Sequence, residues 1–101
     1  MVKKKYKIIW DEPARAQLKK IHEYISKDSV QNAQKVKSDI IQVAKSLCEN
    51  PERFPLDKYK DDNDGSYRAL NKHKYRVAYM ILQNEIIILR VRSEKQEPLQ
   101  Y

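Results

Sequence analysis

The chain of 101 residues predicts an α+β domain: an N-terminal strand, an antiparallel helical hairpin, then a three-stranded antiparallel sheet packed against the helices. Two observations carry this. Apolar residues recur at helical spacing in two consecutive segments before Pro51, and three runs rich in β-branched and aromatic residues follow after Gly65. Helices first and strands afterwards favour segregated layers over alternating crossover units. The length is that of one domain, taken as 1–101.

Residues 5–10, KYKIIW, alternate weakly and are aromatic and β-branched, which predicts a strand. Asp11 or Glu12 precedes Pro13, and proline fits a first helical turn because its missing N–H would have no partner there. Ala14, Leu18, Ile21 and Ile25 then fall on one helical face, with Lys19, Lys20, Glu23 and Lys27 largely opposite. This helix is expected to end near Ser26–Asp28. A second begins after Ser29 and carries Ala33, Val36, Ile40, Ala44 and Leu47, its stripe widened by Ile41 and Val43. Asn50-Pro51 stops it, since the residue before proline avoids the helical region. The short link between the helices implies an antiparallel pair.

Residues 51–66 have no period. Phe54 and Leu56 are expected to pin this segment to the core, and Asp61 to Gly65 to form an acidic, solvated turn rather than a calcium loop, whose ligand spacing is missing. The strands follow at 67–70, 75–82 and 85–92, with Gln83-Asn84 as a tight turn between the last two. The position of the first strand, at the sheet edge or beside the last strand, stays open.

Composition limits function. The lone cysteine, Cys48, excludes an internal disulfide framework and reads as a small buried hydrophobe. His22 and His73 stand far apart, so no metal or cofactor is expected. Nothing resembles a secretory leader or a membrane span, and the cytoplasm is the expected location. Lysine and arginine total 21 against 14 acidic residues, a net charge of +7, which favours polyanionic or acidic partners. The excess concentrates in 67–95, at Arg68, Lys72, Lys74, Arg76, Arg90, Arg92 and Lys95, with His73 among them. Arg90 and Arg92 are two apart and point the same way in a strand. Arg68 and Arg76, on neighbouring strands, join them only if the register allows. Arginine forks suit phosphate or carboxylate. No histidine–carboxylate pair stands at local spacing, and there is no Cys–His signal or glycine-rich nucleotide loop. His73 lies in the polar NKHK turn, and Tyr67, Tyr75 and Tyr79 read as strand packing.

Pro13-Ala14, Leu18, Ile21 and Tyr24-Ile25, the stretch LCENPERFP (47–55), Tyr67-Arg68, Tyr75 to Tyr79 (YRVAY) and Ile86 to Val91 (IIILRV) together form a pattern that resembles the RelE/ParE superfamily of bacterial type II toxins. The resemblance spans nearly the whole chain and is closer to the ParE-like branch. It implies a toxin held inactive by a cognate antitoxin, a role in plasmid stabilization, and contact with operator DNA only through the antitoxin complex. ParE-like members poison DNA gyrase; RelE-like members cleave messenger RNA on the ribosome. Whether the chain is an enzyme stays open; if it is, the resemblance implies an endoribonuclease with Arg76 at the scissile phosphate, Arg68 beside it and Tyr101 as the C-terminal aromatic. Leu70 and the Ser93–Gln96 stretch depart from the ribonuclease pattern, which places gyrase inhibition ahead. Arg90, Arg92, Lys95 and His73 are the candidate contacts for target or antitoxin. A non-toxic basic module that binds protein or nucleic acid is the remaining alternative.

Overall fold

A computed structural model describes residues 5–96. Its elements run β1 (Lys7–Trp10), α1 (Glu12–Ser26), α2 (Val30–Ser46), a 3-10 turn at Pro51–Arg53, β2 (Tyr67–Lys72), β3 (Tyr75–Ile81), β4 (Glu85–Ser93) and a second 3-10 turn at Glu94–Gln96. Asp11 is the N-cap of α1, its carboxylate accepting from the Glu12 N–H, with Pro13 in the first turn. Ser29 caps α2 by accepting the Asn32 N–H at 3.0 Å. α2 stops at Ser46, four residues before the Asn50-Pro51 break, because Leu47 turns into the core.

The α+β expectation holds, with β2, β3 and β4 forming the antiparallel three strands; the difference is that β1 joins them. The sheet has four strands in the order β1-β4-β3-β2, and it is mixed: β1 runs parallel to β4, with Ile8 beside Ile86 and Trp10 beside Ile88. β1 is therefore both an edge strand and the neighbour of the last strand. A parallel pair needs a long connection, and here the two helices and two further strands lie between its members.

One face of the sheet holds the core. Ile40 and Leu47 from the helical side meet Val77, Tyr79, Ile86, Ile88 and Val91, all at most 1% exposed. α1 packs on α2 and on β4 through Ala14 and Leu18. Ile41, expected to widen the α2 stripe, is 40% exposed, and Leu56, expected as a pin, is 49% exposed. Leu56 instead bridges to Arg68 through its backbone, while Phe54 does pack on the core. Cys48 is only partly buried.

Candidate functional site: the open sheet face and two flanking grooves

Ladder partners share a face, and faces alternate along each strand. Val77 stands between Leu70 and Val91 in the core, so the pairs Asn71–Arg76 and Arg76–Arg92 lie on the other face, away from the helices. Arg90 joins them there, opposite Ala78. Simple alternation would not have put it there. From Ile86 and Ile88, both wholly buried, strict period two would carry Arg90 and Arg92 into the core. The ladder shifts between Ala78 and Tyr79, so that Tyr79 pairs with Ile88 and Leu89 becomes an extra, bulged residue. The bulge turns Val91 inward and the two arginines outward.

Arg68 does not join this group. Its partner is the buried Tyr79, which places it on the helix face. There its guanidinium donates to the carbonyls of Phe54 (2.8 Å) and Glu52 (3.2 Å). The Tyr79 hydroxyl donates to the Pro51 carbonyl at 2.6 Å. The two side chains hold the 51–54 turn against the sheet. Burial pushes the Tyr79 phenol up to about 12. Leu70, 3% exposed, belongs to the same core.

Arg76 is on the open face but committed. It donates to Asp57 Oδ1 at 2.8 Å, in a pair whose side chains are 12% and 2% exposed. Its guanidinium carbon lies 4.7 Å from the Tyr59 ring centroid. The same Asp57 oxygen accepts the Tyr59 N–H at 3.0 Å. Asn63 ties the loop to β2, donating to the Tyr67 carbonyl and accepting the N–H groups of Tyr67 and Gly65. The irregular 57–66 segment is thus a folded flap over the β2–β3 end of the open face.

His73 lies elsewhere. The β2–β3 turn is made of His73 and Lys74, both left-handed at φ 53° and 66°; such two-residue turns match strand twist but favour Asn-Gly. The His73 ring nitrogen Nε2 meets Asp39 Oδ2 of α2 at 2.7 Å. This histidine–carboxylate pair spans 34 residues of sequence, which is why local spacing does not show it. The hydrogen bond from His73 holds the Asp39 carboxyl below its usual range, assisted by Lys35. Lys95 is exposed in the turn after β4, and the Arg92 guanidinium donates to the Gln96 carbonyl at 2.8 Å. Tyr101 lies outside the described residues. The structure thus brings Arg76, Arg90 and Arg92 to one face and separates Arg68 and His73 from them. Among the described residues, no cluster of three or more His, Cys, Asp or Glu side chains forms a metal-ligand set, and no helix is long and apolar enough to cross a membrane.

Two grooves flank the sheet. The first, of ≈ 860 Å³, runs between β1 and the helices, lined by Ile8, Trp10, Leu18 and Ile41 with Lys7, Arg15, Lys19 and Lys37 among the rim residues. The Lys7 N–H bonds to Asn84 and the Asp11 N–H to Ile88, so the intervening Ile8 and Trp10 amides face the outer edge. The second, of ≈ 710 Å³, lies between α1, the β2–β3 turn and the end of β4.

Residues 8–98 match the family described as ParE toxin of type II toxin-antitoxin system, parDE, and the chain belongs to that family. No curated relative matches the sequence. Among solved structures, it is similar to a chain of the chromosomal ParDE TA system from P. aeruginosa, at 21% identity and TM-score 0.69 over 87% of this chain and 95% of that one. It is also similar to a chain of the toxin-antitoxin complex RelBE2 from Mycobacterium tuberculosis, at 21% identity and TM-score 0.60 over 89% and 92%. A third is the YoeB dimer from Staphylococcus aureus, at 21% identity and TM-score 0.60 over 87% and 95%. At these identities the structural likenesses establish the RelE/ParE-like fold.

Proposed function

We propose that this chain is a toxin that inhibits DNA gyrase in the cytoplasm and is neutralised by a cognate antitoxin. One observation carries the choice of target. Among the described residues, the open face brings arginines together with no histidine beside them, His73 being held at Asp39 of α2. Cleavage of a phosphodiester needs a base and an acid as well as charge stabilisation. A guanidinium supplies only the last, since it stays protonated. Arg76, the residue a ribonuclease would place at the scissile phosphate, is neutralised by the buried Asp57. Arg68 faces the core side, and Leu70 occupies the position where the ribonuclease pattern has a second basic residue. His73, a candidate base by residue type, is bound to α2 through Asp39.

The antitoxin reading is supported by family membership and by the first groove. A four-residue edge strand with outward amides, an apolar trench and a basic rim suits an acidic, amphipathic segment added by strand pairing or laid in as a helix. Operator DNA is then contacted through that complex. Arg90, Arg92 and Lys95 are the candidate target contacts.

The test uses toxin freed of its antitoxin. It leaves ribosome-bound messenger RNA intact and inhibits gyrase supercoiling or accumulates cleaved DNA–gyrase complexes. Codon-associated cuts in messenger RNA, lost in an Arg76→Ala variant that remains folded, would establish the ribonuclease instead. Failure of the adjacent gene product to bind in either tagging orientation would remove the antitoxin assignment.

A further inference from the structure

We infer that the second groove binds single-stranded nucleic acid, with Tyr24 as a stacking platform and Lys20, Lys74 and Lys95 as phosphate contacts. This goes beyond the gyrase reading: the groove meets the arginine face at Arg92 and shares Lys95 with the target contacts, while Tyr24, Lys20 and Lys74, which the gyrase reading does not use, carry a test made on the protein alone.

Tyr24 is 69% exposed, the most exposed of the large apolar side chains among the described residues. It sits on the groove wall formed by α1, with Tyr75 of β3 in the wall opposite. Tyr75 is half-buried, and burial together with the neighbouring Tyr24 hydroxyl pushes its phenol upward. Lys20 stands one helical turn before Tyr24, on the same face. Lys74 projects from the left-handed turn, which the His73–Asp39 bond fixes to α2. Lys95 closes the far end. Among the described residues, none of these three lysines is in an ion pair and Glu94 is the lone carboxylate in the lining.

A peptide finds little main chain to pair with here. The Val91 N–H is taken by Gln17 Oε1 at 2.7 Å and the Ser93 N–H by Gln96 Oε1 at 3.3 Å. The groove therefore differs from the one beside β1, where outward amides stand at the edge. An exposed aromatic ring between exposed lysines suits a chain that repeats a flat base and a phosphate. A duplex would present phosphates but keep its bases stacked on one another, leaving Tyr24 without a partner.

The experiment is fluorescence anisotropy with the purified full chain and a labelled oligothymidylate of about 12 nucleotides, within the usual site size, titrated between about 50 and 200 mM salt. Binding is expected at low salt. Tyr24→Ala should weaken it about five- to hundredfold, the range of one lost stacking contact, with far-UV circular dichroism and melting unchanged because the side chain is exposed. Tyr24→Phe keeps the ring and should keep the affinity. Lys74→Gln and Lys95→Gln should each lower the log–log salt slope by about 0.7. Absence of binding at low salt, equal affinity of Tyr24→Ala, or equal affinity for a blunt duplex each overturns the proposal. Tighter binding of a glutamate-rich peptide, abolished by the same substitutions, would overturn it in favour of an acidic protein ligand.

Discussion

The Arg76 guanidinium of β3 and the Asp57 carboxylate of the flap form a 2.8 Å ion pair that is almost wholly removed from water. The pair converts what would be an anion-binding arginine into a structural tie, and it holds Tyr59 over the same guanidinium.

Breaking this pair from one side leaves a buried charge without compensation. Asp57→Ala is expected to cost about 3–5 kcal/mol, a large share of a domain stability of about 5–15 kcal/mol. Equilibrium urea unfolding measures it. Combining Asp57→Leu with Arg76→Met should recover most of the loss, since a buried pair contributes little beyond a well-packed apolar replacement. A double variant no more stable than Asp57→Ala would show that Arg76 is not the group left stranded.

Tyr79 sets an alkaline limit. Its phenol titrates near 12 in the folded chain and near 10 when unfolded. The folded state therefore favours the protonated phenol. Its contribution is fully present below pH 10 and is lost as the pH rises from 10 toward 12. The linked free energy is about 2–3 kcal/mol. Tyr79→Phe loses the bond to the Pro51 carbonyl, at a neutral-pH cost of about 1–3 kcal/mol if that carbonyl stays dry. It should also flatten the alkaline fall in stability. Chemical denaturation at pH 8 through 11 separates the two effects.

The His73–Asp39 contact acts at the other end of the scale. Asp39 is held below its ordinary value of 3.8, so its contribution is present above that value and lost as the pH falls through the lower, folded one. His73→Ala should remove this component of acid sensitivity, the wild-type and variant stability curves converging once the pH has fallen through the lowered, folded value. Parallel curves across the acid range would show the contact to be energetically idle.

Deleting Leu89 tests the bulge. Without that residue the sequence Ile88-Arg90-Val91-Arg92 alternates in the sense the sheet already uses, with Val91 inward and both arginines outward. The variant is expected to fold cooperatively, its strand signal by circular dichroism close to that of the parent. Collapse of the fold would mean that the bulged geometry itself, including the Gln17 bond to the Val91 N–H, is required.

The two helices were legible in the sequence because their signal is local. Ala14, Leu18, Ile21 and Ile25 mark one face by backbone geometry alone, and Ser29 and Pro13 mark helix starts by the donors they satisfy or lack. The Gln83-Asn84 turn and the shared direction of Arg90 and Arg92 were legible for the same reason. Which face those arginines occupy was not, since a one-residue bulge reverses the parity of everything after it. The parallel place of β1 beside β4, the Arg68 clamp on the 51–54 turn, and the Arg76–Asp57 and His73–Asp39 contacts belong to the tertiary structure. Each joins groups 14 or more residues apart, and no local period encodes a partner that is brought near only when the sheet and the helices close on one core.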